Sequence, residues 1–495
     1  MSDLEMHGLK NGVPLKEIEL KNDVSLKNSV NGVEIEDQET AMLLASSDSI
    51  HQSQELRQRT GTTWTAVAHI ITGVIGAGVL SLAWSVAQLG WVAGPLAVIV
   101  FAAITVVSTD ILCDCYRSPD SEYGPIRNPS LMEAVKFYLG EKSQRICGIF
   151  LLESLYGCAV AYSIAVSDSV RAIQRANCYH KEGHQAVCGH NDYIFTLSFG
   201  LVQIIVSQIQ DFHNMVWLSI VAAVMSFSYS FTGLGLGLAK VIGNGEFLGS
   251  ISGVAASSTL DKIWLVFEAL GDVAFAFPYS VIVLEIQDTL KSPPPEVHTM
   301  KKASLVSIIT TTFFYLCCGC FGYAAFGKNT PGNLLTGFGF YEPYWLIGFA
   351  NACIILHLIG GYRVYSQPVF ELVEKWFSKR YPESAYTKDI NMKLPCLPAF
   401  ELNIFRLCFR TAYVVSTTGI ALLFPYFNQV LGVLGAFNFW PMSIYFPFQM
   451  YFGQKKIEAW TRKWVVLQVF SIICLVISVL AFMGSTQRLI SARLS

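Results

Sequence analysis

The chain has 495 residues, 53% of them hydrophobic and only 14% charged, with a formal net charge of −2. Its mean hydropathy is +0.45. That balance excludes a disordered chain and a nucleic-acid-binding protein and points to a polytopic membrane protein. The opening MSDLEMHGLKNGV lacks the short apolar core of a cleavable signal peptide, so targeting is expected from the first membrane helix itself.

Residues 1–59 are polar, with no apolar stripe long enough to bury, and read as a disordered cytoplasmic tail. Apolar runs then recur at about 62–83, 91–114, 146–170, 193–210, 215–238, 262–288, 303–326, 344–370, 403–424, 428–451 and 464–484, each long enough to cross a bilayer. The expected fold is all-α, with about 11 transmembrane helices in one domain over 60–484 and a short extracellular tail at 485–495. Lys and Arg concentrate in the loops at 115–145, 289–302, 371–402 and 452–463. The opposite loops hold only a handful, among them Arg171, Arg175, Lys181, Lys240 and Lys328. The positive-inside rule then puts the N-terminus in the cytoplasm and, with an odd helix count, the C-terminus outside.

The first run is weakened by Gly73, Gly76 and Gly78, each costing about 1 kcal/mol relative to Ala in a helix. Close helix packing through small residues is one reading. The other is unwound backbone at the membrane midplane, tolerated only in protein or facing a water-filled cavity, where free N–H groups can bind a carboxylate. A second interruption is expected within 261–287, where Gly271 and Pro278 flank Asp272. A carboxylate at that depth should face the protein interior or a cavity. The plainer alternative is a proline kink with a buried, hydrogen-bonded aspartate. Breaks in spans one and six, five helices apart, point to an inverted-repeat transporter with a midplane site.

Most of the thirteen cysteines lie in apolar runs and act as small hydrophobes. Cys178 and Cys188 fall in an outer loop and suggest a disulfide. His180, His184 and His190 interleave with them, so a zinc site is the alternative, and either would be structural.

Several stretches resemble the plant amino acid permeases of the amino acid/auxin permease family: RTGTTWTAVAHIITGVIGAGVLSLAW at 59–84, AQLGW at 87–91, NMVW at 214–217, EIQDTLKSPP at 285–294, MKKA at 300–303, GYAAFG at 322–327, PGNLLTGFGFYEP at 331–343 and FPYFN at 424–428. The resemblance covers about 60–484. It implies a proton-coupled amino acid symporter of broad substrate range with a LeuT-like inverted-repeat fold, broken in helices 1 and 6. By position, Val74, Ile75, Gly76, Ala77 and Gly78 would take the substrate carboxylate. Asp272, Val273, Ala274, Phe275 and Phe277 would line the side-chain and amino end, with Tyr156, Gly157 and Ala161 facing from span three. The family's two membrane histidines match His69 and His357.

Histidine exchanges protons near neutral pH, which supports His69 and His357 as proton-coupling candidates beside Asp272. A structural hydrogen bond is the commoner fate of a single buried histidine. Glu153, Asp168 and Arg363 stand outside the family pattern, and an intramembrane ionisable residue is a functional hypothesis by default. Glu153 joins the proton-coupling candidates, whereas Asp168 and Arg363 lie near helix ends and are expected to reach headgroups or water. Lys328 and Gly348 stand where the family commonly has acidic residues.

The expectation is a plant plasma-membrane symporter with amino acids, protons and the lipid bilayer as its partners. It needs no cofactor other than the coupling proton, no metal and no nucleic acid, and its oligomeric state stays open. The rivals are an importer of auxin, an indole carboxylic acid, and an amino acid sensor without turnover. Motifs for metal or nucleophilic catalysis are missing, so an enzyme is not expected.

Overall fold

A chain this apolar must pair its backbone groups internally, and helices do so within each segment. The computed structural model describes residues 59–494 apart from Ala77, Pro278, 184–185, 187, 189–191, 210–215, 339–343, 383–385, 387–389 and 393–399. The expected tail at 1–58, His184, His190 and Asn214 of the NMVW stretch therefore lie outside the described residues.

The helices are α1 (Thr63–Val74), α2 (Gly78–Asp114), α3 (Leu131–Glu182), α4 (Asp192–Ser207), α5 (Val216–Asn244), α6 (Thr259–Ala276), α7 (Ser280–Asp288), α8 (Glu296–Phe326) and α9 (Trp345–Arg380). They continue with α10 (Ile404–Leu423), α11 (Phe427–Asn438), a π-helical stretch Phe439–Tyr445, α12 (Phe446–Gln454) and α13 (Arg462–Leu494). Two 3-10 turns, Gly327–Asn329 and Leu334–Phe338, and two small antiparallel strand pairs complete the described elements: β1 (Arg117–Ser118) with β2 (Ile126–Arg127), and β3 (Ile390–Met392) with β4 (Phe400–Leu402). Every apolar run read from the sequence carries a helix. Eight helical stretches are long and apolar enough to cross a membrane, and Thr63–Val74 and Tyr193–Ser207 are shorter apolar helices.

Spans and helices do not correspond one to one. At Gly90 the backbone adopts φ +86°, a left-handed value that glycine accepts freely, so α2 holds the end of span one and all of span two. The loop at 245–258 packs into this elbow. Trp91 N donates to Ser250 O (3.3 Å), Val254 N to Ala87 O (2.9 Å) and Lys262 Nζ to Gln88 O (2.6 Å).

The breaks also sit differently from the expectation. α1 runs through Gly73 to Val74, and α6 runs through Gly271 to Ala276. Gly271 is used for contact instead of unwinding: a Cβ there would stand 2.5 Å from Gly432 O, and one on Gly435 would stand 2.2 Å from Gly271 O. α6 and α11 thus meet backbone to backbone. α6 also packs against α2 and α13, α2 against α8, and α3 against α9.

The face at which the chain enters span one (the near face) is tied shut beneath both breaks. Arg59 pairs with Asp288 at 3.0 Å and Glu296 at 2.8 Å, and Arg117 reaches the same Glu296 at 2.8 Å. Hydrogen bonding to Glu296 raises the pKa of Arg117 above its ordinary value. Gly61 N donates to Thr289 O and Lys291 N to Gly61 O, both at 3.0 Å, joining the start of span one to the end of span six.

Gly435→Val is expected to separate α6 from α11. The obstacle is backbone, so the cost should reach or exceed the usual overpacking range of about 1–3 kcal/mol. A lower melting temperature in detergent and reduced surface abundance are the expected readings; wild-type values for both would contradict so close an approach.

Candidate functional site

Each break leaves carbonyls and N–H groups without helical partners, and in an apolar interior those groups must find others. Hydroxyls from the surrounding helices meet the carbonyls. Tyr365 Oη lies 3.3 Å from Gly73 O, and Ser226 Oγ and Tyr229 Oη each lie 3.0 Å from Ile75 O. Tyr229 is also 3.3 Å from Gly76 O. Tyr315 joins the two breaks: its hydroxyl is 2.7 Å from Val74 O and 2.8 Å from Ala276 O, and one proton serves both.

Between the breaks lies a cavity of about 50 Å³. Span one contributes Gly73, Val74, Gly76 and Gly78; span six contributes Phe275, Ala276, Ser280 and Val281. Ser154, Cys158 and Tyr162 of α3 and Tyr365 of α9 close one side, and Leu434, Gly435, Asn438 and Met442 close the other. The N-terminal ends of α2 and α7 and the C-terminal ends of α1 and α6 all meet here. The cavity therefore has positive helix ends and negative helix ends within one small volume. In its present size it admits a few water molecules only.

Of the residues expected to bind substrate, Val74, Gly76, Gly78 and Phe275 line this cavity. Ile75 is buried at its edge with its carbonyl capped, and Ala77 is outside the described residues. Val273, Ala274 and Phe277 are buried in the core, the Phe277 ring 5.2 Å from that of Tyr315. From span three, Gly157 packs on Leu434 and Ala161 is core. Tyr156 turns away, donating to Ser416 Oγ at 2.9 Å and stacking edge-on with Tyr413. The cavity face of α3 is 154, 158 and 162. A phase error of one residue rotates a helix face by about 100° and accounts for 157 and 161 in place of 158 and 162, whereas 156 lies two residues from both 154 and 158.

The proton-coupling candidates are dispersed. His357 Nδ1 is 3.1 Å from Ala222 O and 3.2 Å from Ser226 Oγ, the hydroxyl that caps Ile75 O. A carbonyl partner puts the hydrogen on Nδ1 and fixes the tautomer. His69 is half-buried on α1 and has no hydrogen-bond partner among the described residues. Glu153 accepts from Asn438 Nδ2, and Asn438 lines the cavity. Asp272 does not line it: it stands one turn of α6 before Phe275 and Ala276, and Oδ2 accepts from Asn428 at 3.0 Å and Ser85 at 3.3 Å. Arg363 does not reach water either. It is 1% exposed and donates to Ile209 O at 2.8 Å, just past the end of α4. Asp168 pairs with Arg171.

Cys178 and Cys188 form a disulfide with Cα atoms 6.1 Å apart, and the His180 ring stacks on Tyr344 at 3.8 Å. No group of three or more metal-ligating side chains occurs among the described residues. The cavity residues missed in the sequence (Ser154, Cys158, Tyr162, Ser280, Tyr365 and Asn438) sit in ordinary apolar runs. The one available signal was Pro441 close after Asn438, at the π-helical stretch of span ten.

Two helices broken at the same depth, their four ends turned on one cavity inside a bundle of apolar spans, define a broken-helix membrane carrier fold. The family model described as transmembrane amino acid transporter protein matches residues 59–491, and the chain belongs to that family. It is 55% identical to probable amino acid permease 7 of Arabidopsis thaliana over 92% of this chain and 99% of that one. To amino acid permease 3 of Arabidopsis thaliana it is 53% identical over 86% and 90%. Among solved structures, it superposes on MhsT in complex with L-phenylalanine with a TM-score of 0.56 at 10% identity, covering 87% of this chain and 100% of that one. That likeness establishes the LeuT-like fold. The chain is a multi-pass membrane protein.

Tyr315→Phe removes the hydroxyl shared by Val74 O and Ala276 O, leaving buried carbonyls unpaired at about 1–3 kcal/mol each. Roughly tenfold or greater loss of substrate uptake at normal surface abundance is expected, measured by radiolabelled uptake with surface biotinylation. Unchanged uptake would show that the breaks hold without it.

Proposed function

We propose that the chain is a proton-coupled symporter that imports a broad range of amino acids across the plasma membrane. The observation carrying this reading is the convergence of two helix N-termini and two helix C-termini on one cavity. An amino acid is a zwitterion. Its carboxylate suits the N–H ends of α2 and α7, and its ammonium suits the carbonyl ends of α1 and α6. The α-carbon substituents of every amino acid present the same two charges, so recognition at the helix ends favours breadth. The names of the relatives, amino acid permeases, support the same substrate class.

An indole carboxylic acid offers no ammonium to the carbonyl ends. The discrimination is made by the helix ends that line the cavity, Asp272 being held one turn away by Asn428 and Ser85.

With the N-terminus cytoplasmic, the near face is the inner one, and the ion pairs of Arg59, Arg117, Asp288 and Glu296 close it. Substrate and proton enter from the opposite side, the half-helices rock, and the inner pairs separate to release them. Inward movement of a positive charge gains about 2.3 kcal/mol per 100 mV of membrane potential.

Substrate-evoked current in voltage-clamped oocytes tests this. Inward currents are expected with several L-amino acids, growing as external pH falls from about 8 to 5, and none with analogues that lack either the ammonium or the carboxylate. Current with indole-3-acetate alone would select an auxin importer. Absence of both current and radiolabelled uptake at verified surface expression would reject transport at that membrane.

A further inference from the structure

Two carboxylates on α6 have no place in the cavity. Glu268 and Asp272 stand one helical turn apart and are both 0% exposed. At 1.5 Å per residue they lie roughly 14–20 Å along α6 from its start at Thr259, deep in the bundle. Asp272 Oδ2 has its two donors while Oδ1 is buried with no hydrogen-bond partner among the described residues, and the Glu268 carboxylate is approached only by Arg488 and Gln429. The nearest cation is Arg488 of α13, whose Nε is 3.4 Å from Glu268 Oε2.

The helices packed on α6 are α2, α11 and α13. Facing the pair they present Ser85 from α2, Asn428 and Gln429 from α11, and Arg488 from α13. Asp261, on α6 itself, also faces Arg488. Two carboxylates against one guanidinium leave a net negative charge in an apolar site, where an unpaired charge costs several kcal/mol. One proton removes that charge and turns an orphaned oxygen into a donor.

We propose that Glu268 and Asp272 share the proton carried in the symport cycle, with Arg488 as their fixed counter-charge. This assignment rests on the symport reading above and locates its coupling ion. Asn428 and Gln429 connect the pair to the far side. Both line a cavity of about 330 Å³ together with Trp84, Asp168 and Arg171, while Asn428 donates to Asp272 and Gln429 lies beside Glu268. On its other side, the next turn of α6 supplies Phe275 and Ala276 to the substrate cavity. Between the two lies the contact of Gly271 with Gly432 and Gly435, so a change of charge on the pair acts on the α6–α11 seam that borders the substrate.

The test uses the full chain in voltage-clamped oocytes, with a neutral L-amino acid as probe and external pH stepped from about 8 to 5. In the wild type the current rises with acidity. Glu268→Gln is expected to flatten that response while the protein still reaches the surface. Arg488→Met, which removes the counter-charge, is expected to move half-maximal activation to a more alkaline pH by about one unit. A wild-type pH response in Glu268→Gln overturns the proposal. Should that variant fail to reach the surface, an Arg488→Met activation curve superimposed on the wild type overturns it. A wild type with no pH-dependent amino acid current would reject the symport reading itself, independently of the pair.

Discussion

Hydroxyl groups hold open the two gaps on which the architecture depends. Backbone that leaves a helix inside an apolar bundle exposes carbonyls at several kcal/mol apiece unless a donor is supplied. Here the donors are Tyr229, Tyr315, Tyr365 and Ser226, projected from helices that surround spans one and six. A tyrosine suits the task because its ring fills apolar space while its one polar atom reaches the backbone. The N–H ends of α2 and α7 have no such side-chain acceptors among the hydrogen bonds of the described residues, an asymmetry that fits the carboxylate end of the proposed substrate.

The same logic of close approach governs the neighbouring seam. α6 and α11 touch through glycine backbone, which brings a helix carrying two buried carboxylates against one carrying two amides that face the far side. Small residues at 271, 432 and 435 remove the side-chain cushion that would let one helix shift without the other. Events at Asp272 and at Phe275, one turn apart on α6 and both against α11, are therefore mechanically adjacent.

Much of this was legible in the chain itself. Length and hydropathy located the helices, eight stretches being long and apolar enough to cross, because crossing a bilayer imposes a long apolar segment that few other demands imitate. The glycines at 73, 76 and 78 marked the first gap. Gly271 misled, because a glycine that permits contact and a glycine that permits unwinding look alike in sequence; only the partner backbone of Gly432 distinguishes them. The inward face of span three was misplaced, at Gly157 and Ala161 by one residue, since the few polar residues of its run do not repeat at a helical spacing that fixes that face. Arg363 and Glu268 were unreadable for a different cause: their partners, Ile209 and Arg488, are 154 and 220 residues away along the chain.

Arg363 has a consequence for the lipid around the protein. α4 has 16 residues, about 24 Å of helix, against a hydrocarbon layer of about 30 Å. A helix that short ends within the oily layer unless the bilayer thins beside it. Arg363 donates to Ile209 O and Arg410 to Ser207 O at 2.6 Å, so two buried guanidiniums, one of them paired with Glu374, cover the terminal carbonyls from the protein side. The carbonyls at the end of this span are thereby satisfied by the neighbouring helices α9 and α10, and pairing them calls for neither water nor a lipid headgroup.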